Sequence, residues 1–220
     1  CALIGHHGLD AREEQFSNAG KAVAGPLDAA VRENNLHRNL PVLDNWNGIG
    51  EYTAKVHHHP TWWEAGRLIY GTGIMALYAE APVSHRSILT LFYLTAQAGE
   101  GGHNCPLACD AGAIRTLSAL GTETQKEAYL TPLLDPDFDT NFTASQFLTE
   151  VQGGSDVGAN TVSASTVSGG RDPGSIWSIS GEKWFCSNAD ADVFVMTARP
   201  DGGADGTKGL GLFLVPRLKP

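Results

Sequence analysis

The spacing of apolar positions changes character near residue 139. From about Leu27 to Leu134 hydrophobic side chains recur at helical spacing, and beyond Asp139 they fall in short runs rich in β-branched and aromatic residues. Trp62, Trp63, Gly66, Leu68, Ile69, Ile74, Leu77 and Tyr78 fit one packed helical stretch that Pro82 ends. His85 to Ala98 reads as a second apolar helix. Pro106 suits the first turn of a third, which runs from Leu107 to Leu120 and stops at Gly121. Thr122 to Gln125 has the form of an N-cap with Gln at the capping-box position. The short helix that follows carries Tyr129 and Leu130, with Pro132 near its end.

Asp135-Pro-Asp-Phe-Asp139 is turn-rich and marks the expected domain boundary. Past it, Thr161–Val167, Ser175–Phe185, Val193–Ala198 and Gly209–Val215 read as strands, separated by the Gly-rich loops 168–174 and 200–206. Helices followed by strands predict an α+β fold rather than a βαβ dinucleotide fold. The expected organisation is an N-terminal all-α domain over residues 1–139. A middle domain over 140–220 follows, an antiparallel β-barrel-like or sandwich arrangement incomplete at its C-terminal end. No internal repeat is visible.

Composition narrows the function classes. The chain has 220 residues, 42% of them hydrophobic, enough to bury a substantial core. Lys and Arg number 15 against 24 acidic residues, a formal charge of -9, which argues against a nucleic-acid-binding surface on this stretch. No apolar run reaches the roughly 20 residues needed to cross a bilayer. No secretory signal pattern opens the sequence, and Cys1 in place of Met reads as a fragment or processed product. Cys105 and Cys109 are spaced to share a helix face, but a zinc site lacks a second pair, so buried reduced thiols are expected. His57-His-His59 reads as solvated rather than metal-binding, and no metal site is expected. The sequon Asn141-Phe-Thr143 is taken as a chance match.

Two segments carry candidate chemistry. In the first, Leu148 and Thr149 end a strand and Gly153-Gly-Ser-Asp156 forms a tight turn. That turn is either a nest of N–H groups for an anion, with Ser155 adding a hydroxyl, or a solvated hairpin with Asp156 capping its own backbone. In the second, Trp184 and Phe185 are adjacent in a strand, so one ring faces the core and the other outward. The outward ring is a surface aromatic or a platform for a flat ligand, followed by Ser187 and Asn188. Glu150 and Asp156 form an acid pair in appearance only, Asp156 being read as a turn cap.

Together these segments resemble those of the acyl-CoA dehydrogenase family. Thr149-Glu-Val-Gln-Gly-Gly-Ser-Asp156 is similar to its T-E-P-x-A-G-S-D pattern, and Gly181-Glu-Lys-Trp-Phe-Cys-Ser-Asn-Ala189 to G-x-K-x-W-I-T-N-A. Gly121-Thr-Glu-Thr-Gln-Lys126 with Tyr129-Leu130 resembles G-T-E-E-Q-K-x-x-Y-L. Val151-Gln152 in place of the usual proline and its neighbour looks like the AidB-like (adaptive-response) branch. His59-Pro-Thr-Trp62, Gln97-Ala-Gly99 and Phe213-Leu-Val-Pro-Arg217 point the same way.

The resemblance implies FAD as cofactor. Leu148 would lie against the ring system and Thr149 at its N5/O4 edge, with Gly154 and Ser155 at the pyrophosphate or thioester. Phe185 would cover one ring face in place of a tryptophan, with Cys186 and Ser187 beside it. The implied reaction is α,β-desaturation of an acyl-CoA or related thioester, with hydride passing to flavin N5. No catalytic base is assigned, because the family places it in C-terminal helices beyond Pro220; the 220 residues alone are expected to bind FAD weakly and to be inactive. The alternative is an AidB-like DNA-associated flavoprotein with a protective role, its DNA contacts coming from that C-terminal region. A flavin oxidase, passing electrons to oxygen, is a third reading. The family further implies a homo-oligomer, dimer or tetramer, in the cytoplasm or else the mitochondrial matrix, and no membrane partner.

Overall fold

A computed structural model describes residues 12–217, which form two compact units. Among them, the first comprises 12–108 together with 134–141; the second comprises 109–133 and 142–217. Cys1 lies outside the described residues.

In the first unit α1 (Glu13–Ala22) runs through a widened turn (Val23–Leu27) into α2 (Asp28–Asn34). A hairpin follows, β1 (Val42–Trp46) paired antiparallel with β2 (Tyr52–His57), inside a region whose periodicity suggested helix. Asn47-Gly48 supplies the turn chemistry, with the Asn47 side chain accepting from the Ile49 and Glu51 N–H groups. Every β1 residue is exposed, so no buried face constrains the hairpin's alternation and the sequence carries no strand signal there.

α3 (Pro60–Tyr70) begins with Pro60 in its first turn, capped by His59, whose Nδ1 accepts from the Thr61 N–H at 3.3 Å. His58 stacks on Trp62 with centroids 3.9 Å apart, so two of the three consecutive histidines have structural partners. Among the described residues no group of His, Cys, Asp and Glu is placed to hold a metal ion. α4 (His85–Ala96) matches the second expected helix. The first-unit core gathers Ile69, Tyr70, Ile74, Met75 and Leu91 with Phe138, whose ring lies 4.9 Å from Tyr70 and 5.2 Å from His103. Any side chain at Gly66 would overlap that phenyl ring, which explains a glycine within α3. His103 is buried and its Nε2–H donates to the Trp62 carbonyl at 2.8 Å. Burial pushes its imidazole below the ordinary value despite the opposing charge of Glu100.

α5 (Asn104–Leu120) carries Pro106 in its first turn. Contrary to the expectation of buried thiols, Cys105 is exposed and Cys109 only half-buried, because His103, Asn104 and Leu107 take the inward positions around them. Gly121 ends α5, and Thr122 and Gln125 form the expected capping box, each side chain bonded to the other's backbone N–H. The helix continues from α6 (Glu123–Gln125) through a widened turn (Lys126–Leu130) into α7 (Thr131–Leu133).

The second unit holds a five-stranded sheet: β3 (Ala144–Phe147), β4 (Ser163–Ser168), β5 (Ile176–Ser180), β6 (Val193–Pro200) and β7 (Gly211–Pro216). The α+β succession is as expected, but the sheet is mixed rather than antiparallel. β6 is central, parallel to β3 and to the start of β4, and antiparallel to β7. Its residues Val193 and Val195, two apart on one face, are buried, as are Ala198 further along and Ala144 and Ala164 on its neighbours. On the Val162, Ala164 and Ala198 side, Trp177 and Phe213 meet edge-to-face at 5.4 Å. β3 is fixed from α5, where the Asp110 carboxylate accepts the Ala144 N–H and the Cys109 carbonyl accepts from Gln146 at 3.1 Å.

Candidate functional site

The two motif segments come together at the end of β3. After Phe147 the chain leaves the strand through Leu148 and Thr149, then turns, with the Gly153 N–H donating to the Glu150 carbonyl at 3.0 Å. The second segment leaves β5 at Ser180 and runs back alongside. The Trp184 N–H donates to the Thr149 carbonyl at 2.9 Å, the Ser145 hydroxyl to the Ser187 carbonyl, and the Asn188 amide to the Ala144 carbonyl at 3.0 Å. One index rises as the other falls, so the segments lie antiparallel.

Trp184 and Phe185 are not in a strand, which corrects the expectation of one ring in and one ring out. β5 stops at Ser180, and Phe185 adopts a left-handed φ of 54° that breaks the alternation. Both rings are therefore outward: Trp184 is 48% exposed and Phe185 84%, meeting edge-to-face at 5.8 Å. A bulky residue held in that conformation, with its ring in water, is the kind of strain found where a ligand is received.

Thr149 faces the turn. A Cβ at Gly154 would lie 2.9 Å from the Thr149 hydroxyl, so glycine there leaves the hydroxyl open. Among the described residues neither the Thr149 N–H nor its hydroxyl has a hydrogen-bond partner within the chain. Leu148 is 38% exposed, Gly154 and Ser155 are exposed, Cys186 is half-buried and Ser187 exposed. Burial raises the Cys186 thiol above its ordinary value, so it is held as a thiol rather than a thiolate nucleophile. Asp156 opens a short turn (Val157–Ala159) without a side-chain cap bond, so the reading of its carboxylate as a turn cap does not hold.

Beneath these groups lies a polar cluster that sequence reasoning missed. Glu150 and Lys183 form a buried ion pair at 2.8 Å. The Glu150 carboxylate also accepts from the Thr161 N–H at 2.6 Å, the Thr161 hydroxyl at 3.0 Å and the Val162 N–H at 3.1 Å. Burial alone would raise this carboxyl, but Lys183 and these donors outweigh it and hold Glu150 below the ordinary value. Lys183 further reaches the Leu148 carbonyl and the Thr197 hydroxyl, each at 3.4 Å. A lysine in a G-E-K-W run reads as solvated; only a partner 33 residues earlier makes its burial affordable, and no local pattern announces that.

Comparisons with known proteins agree on one family. Residues 1–140 match the family described as adaptive response protein AidB N-terminal domain, and residues 145–220 match acyl-CoA dehydrogenase, middle domain. Acyl-CoA dehydrogenase family member 11 of Caenorhabditis elegans is 28% identical over 212 residues, 91% of this chain and 33% of that protein. The chain thus spans about a third of that relative's length. Among solved structures, Bd2924 in its apo form superposes with a TM-score of 0.83 at 28% identity, over 94% of this chain and 42% of that one. C. elegans ACDH-11, solved in complex with C11-CoA, superposes with a TM-score of 0.76 at 26% identity, over 89% and 34%.

Proposed function

Since this chain belongs to the acyl-CoA dehydrogenase family, we propose that it forms the N-terminal and middle domains of an FAD-dependent oxidoreductase acting on an acyl-CoA thioester. The observation that carries the reading is the antiparallel tie between the two motif segments. It joins the segment of the open Thr149 donors and the bare Gly154 turn to the segment that carries the outward Phe185 ring. Those residues fit a planar, phosphate-bearing group: an aromatic plate, a backbone N–H and hydroxyl without partners, and a turn that a Cβ would fill. FAD, when bound, supplies the acceptor for a hydride leaving the acyl β-carbon.

The chain's own residues do the rest. Thr149 binds at the edge of the ring system, Leu148 and Phe185 shield it from water, Cys186 and Ser187 border it, and Gly154 and Ser155 hold phosphate or thioester oxygen. Glu150 is not the base that removes the α-proton, because its carboxylate is buried and bonded to Lys183 and two amides. No residue of this chain is assigned that role. A thioester substrate is supported by ACDH-11, whose structure holds C11-CoA. The holoenzyme is read as a cytoplasmic homo-oligomer, a dimer or tetramer.

The AidB-type match over residues 1–140 favours a second reading, a DNA-associated flavoprotein with a protective role. The full-length protein separates the two. The first predicts acyl-CoA-dependent bleaching of bound flavin and reduction of an artificial dye. Flavin that no acyl-CoA bleaches, together with salt-sensitive retention of duplex DNA, would replace it with the second.

A further inference from the structure

We propose that Asn160 and Lys183, held in place by Gln152 and Glu150, are positioning residues that aim the Thr149 N–H outward as a hydrogen-bond donor. The Leu148 carbonyl accepts from the Asn160 side-chain amide at 2.7 Å and from the Lys183 ammonium at 3.4 Å. The only cis bond among the described residues is Ala81–Pro82, so the Leu148–Thr149 peptide is trans. In a trans peptide the C=O and N–H point in opposite directions across one rigid plane. Tying the Leu148 carbonyl inward therefore turns the Thr149 N–H away from the cluster, where it has no partner among the described residues. The Thr149 carbonyl is fixed in turn by Trp184, so both peptides flanking Thr149 are locked.

The cluster is built for this. Asn160 is 2% exposed and the Lys183 side chain 6%. The Gln152 amide donates to Asn160 Oδ1 at 3.0 Å, which fixes the flip of Asn160 and directs its NH2 group at the Leu148 carbonyl. Gln152, which stands beside the missing proline of the motif, thereby acquires a task. An ammonium behind the Leu148 carbonyl also polarises that peptide and strengthens the N–H on its far side.

This inference rests on the FAD reading, and its test separates the two. In the full-length protein, FAD affinity is measured by flavin fluorescence beside the far-UV spectrum and the thermal midpoint, for the unaltered chain, Asn160→Asp and Gln152→Ala. Asn160→Asp keeps the size and the Gln152 bond but sets a carboxylate oxygen against the Leu148 carbonyl. FAD affinity is expected to fall about ten-fold, the equivalent of one charge-assisted hydrogen bond. The visible band of the flavin that still binds should shift toward that of free FAD, which general loosening of the fold would not produce. Gln152→Ala, at an exposed position that leaves folding intact, is expected to lower affinity about three-fold by freeing the Asn160 amide. Folded variants with unchanged affinity and an unchanged flavin band would overturn the positioning role and leave the FAD reading standing. Failure of the unaltered protein to bind FAD would overturn both.

Discussion

Lys183→Met is expected to destabilise the second unit by about 3–5 kcal/mol at neutral pH, the loss seen when one partner of a buried pair is removed. Methionine fills much of the volume, so the loss comes from leaving the Glu150 carboxylate buried without its counter-charge. The Thr161 and Val162 donors remain and place the effect toward the lower end of that range. Urea unfolding followed by Trp fluorescence measures it. The double variant Glu150→Gln/Lys183→Met should recover part of the loss, because no charge is then stranded. The pH dependence has a definite sign. Glu150 titrates below its ordinary value in the folded chain, so its contribution is full above the unfolded value of 4.5 and is lost as pH falls through the folded value. The gap between Lys183→Met and the unaltered chain should therefore narrow on acidification. A gap independent of pH would mean that packing, not charge, is what Lys183 contributes.

Phe138→Ala is expected to cost the first unit about 3–5 kcal/mol, the range for truncating a buried phenylalanine. Phe138 is 6% exposed and meets Trp62 at 5.5 Å, Trp63 at 5.8 Å, Tyr70 at 4.9 Å and His103 at 5.2 Å. Gly66 has given up its side chain to admit the ring, so removing the ring leaves a hole that α3 cannot refill. Thermal unfolding followed by near-UV dichroism should show an earlier transition and a weaker aromatic signal. Phe138→Leu, which retains volume, should lie between the two. A Phe138→Ala midpoint equal to that of the unaltered chain would show that the turn segment is dispensable to this core.

What the sequence disclosed was mostly local. α4, the Pro106 start of α5, the Gly121 stop and the Thr122–Gln125 box were legible because caps and helical spacing act within a few residues. β5 stops at Ser180, five residues before its expected end at Phe185, but β4, β6 and β7 were legible to within two residues, from β-branched and aromatic runs between Gly-rich turns. Sheet topology was not, since the pairing of β3 with β6 joins residues 49 apart and leaves no trace in either strand. The β1–β2 hairpin escaped notice because its apolar residues face outward. Phe185 was misread because a left-handed turn, not strand alternation, sets its direction. Within the candidate site, motif resemblance named residues of the two segments that the Trp184–Thr149 hydrogen bond joins. The Asn160 and Lys183 support beneath them could not be named so, because it depends on which distant carbonyl they reach.

On the proposed function, segments 148–155 and 184–188 act as one flavin-receiving edge. Titrating FAD into the isotope-labelled chain, with backbone amide resonances followed by NMR, tests it most directly and tolerates weak binding. Saturable shifts are expected, concentrated at Leu148, Thr149, Gly154, Ser155 and Phe185 through Ser187, with the Thr149 amide moving furthest. Saturable binding that leaves these amides still and moves others would contradict it.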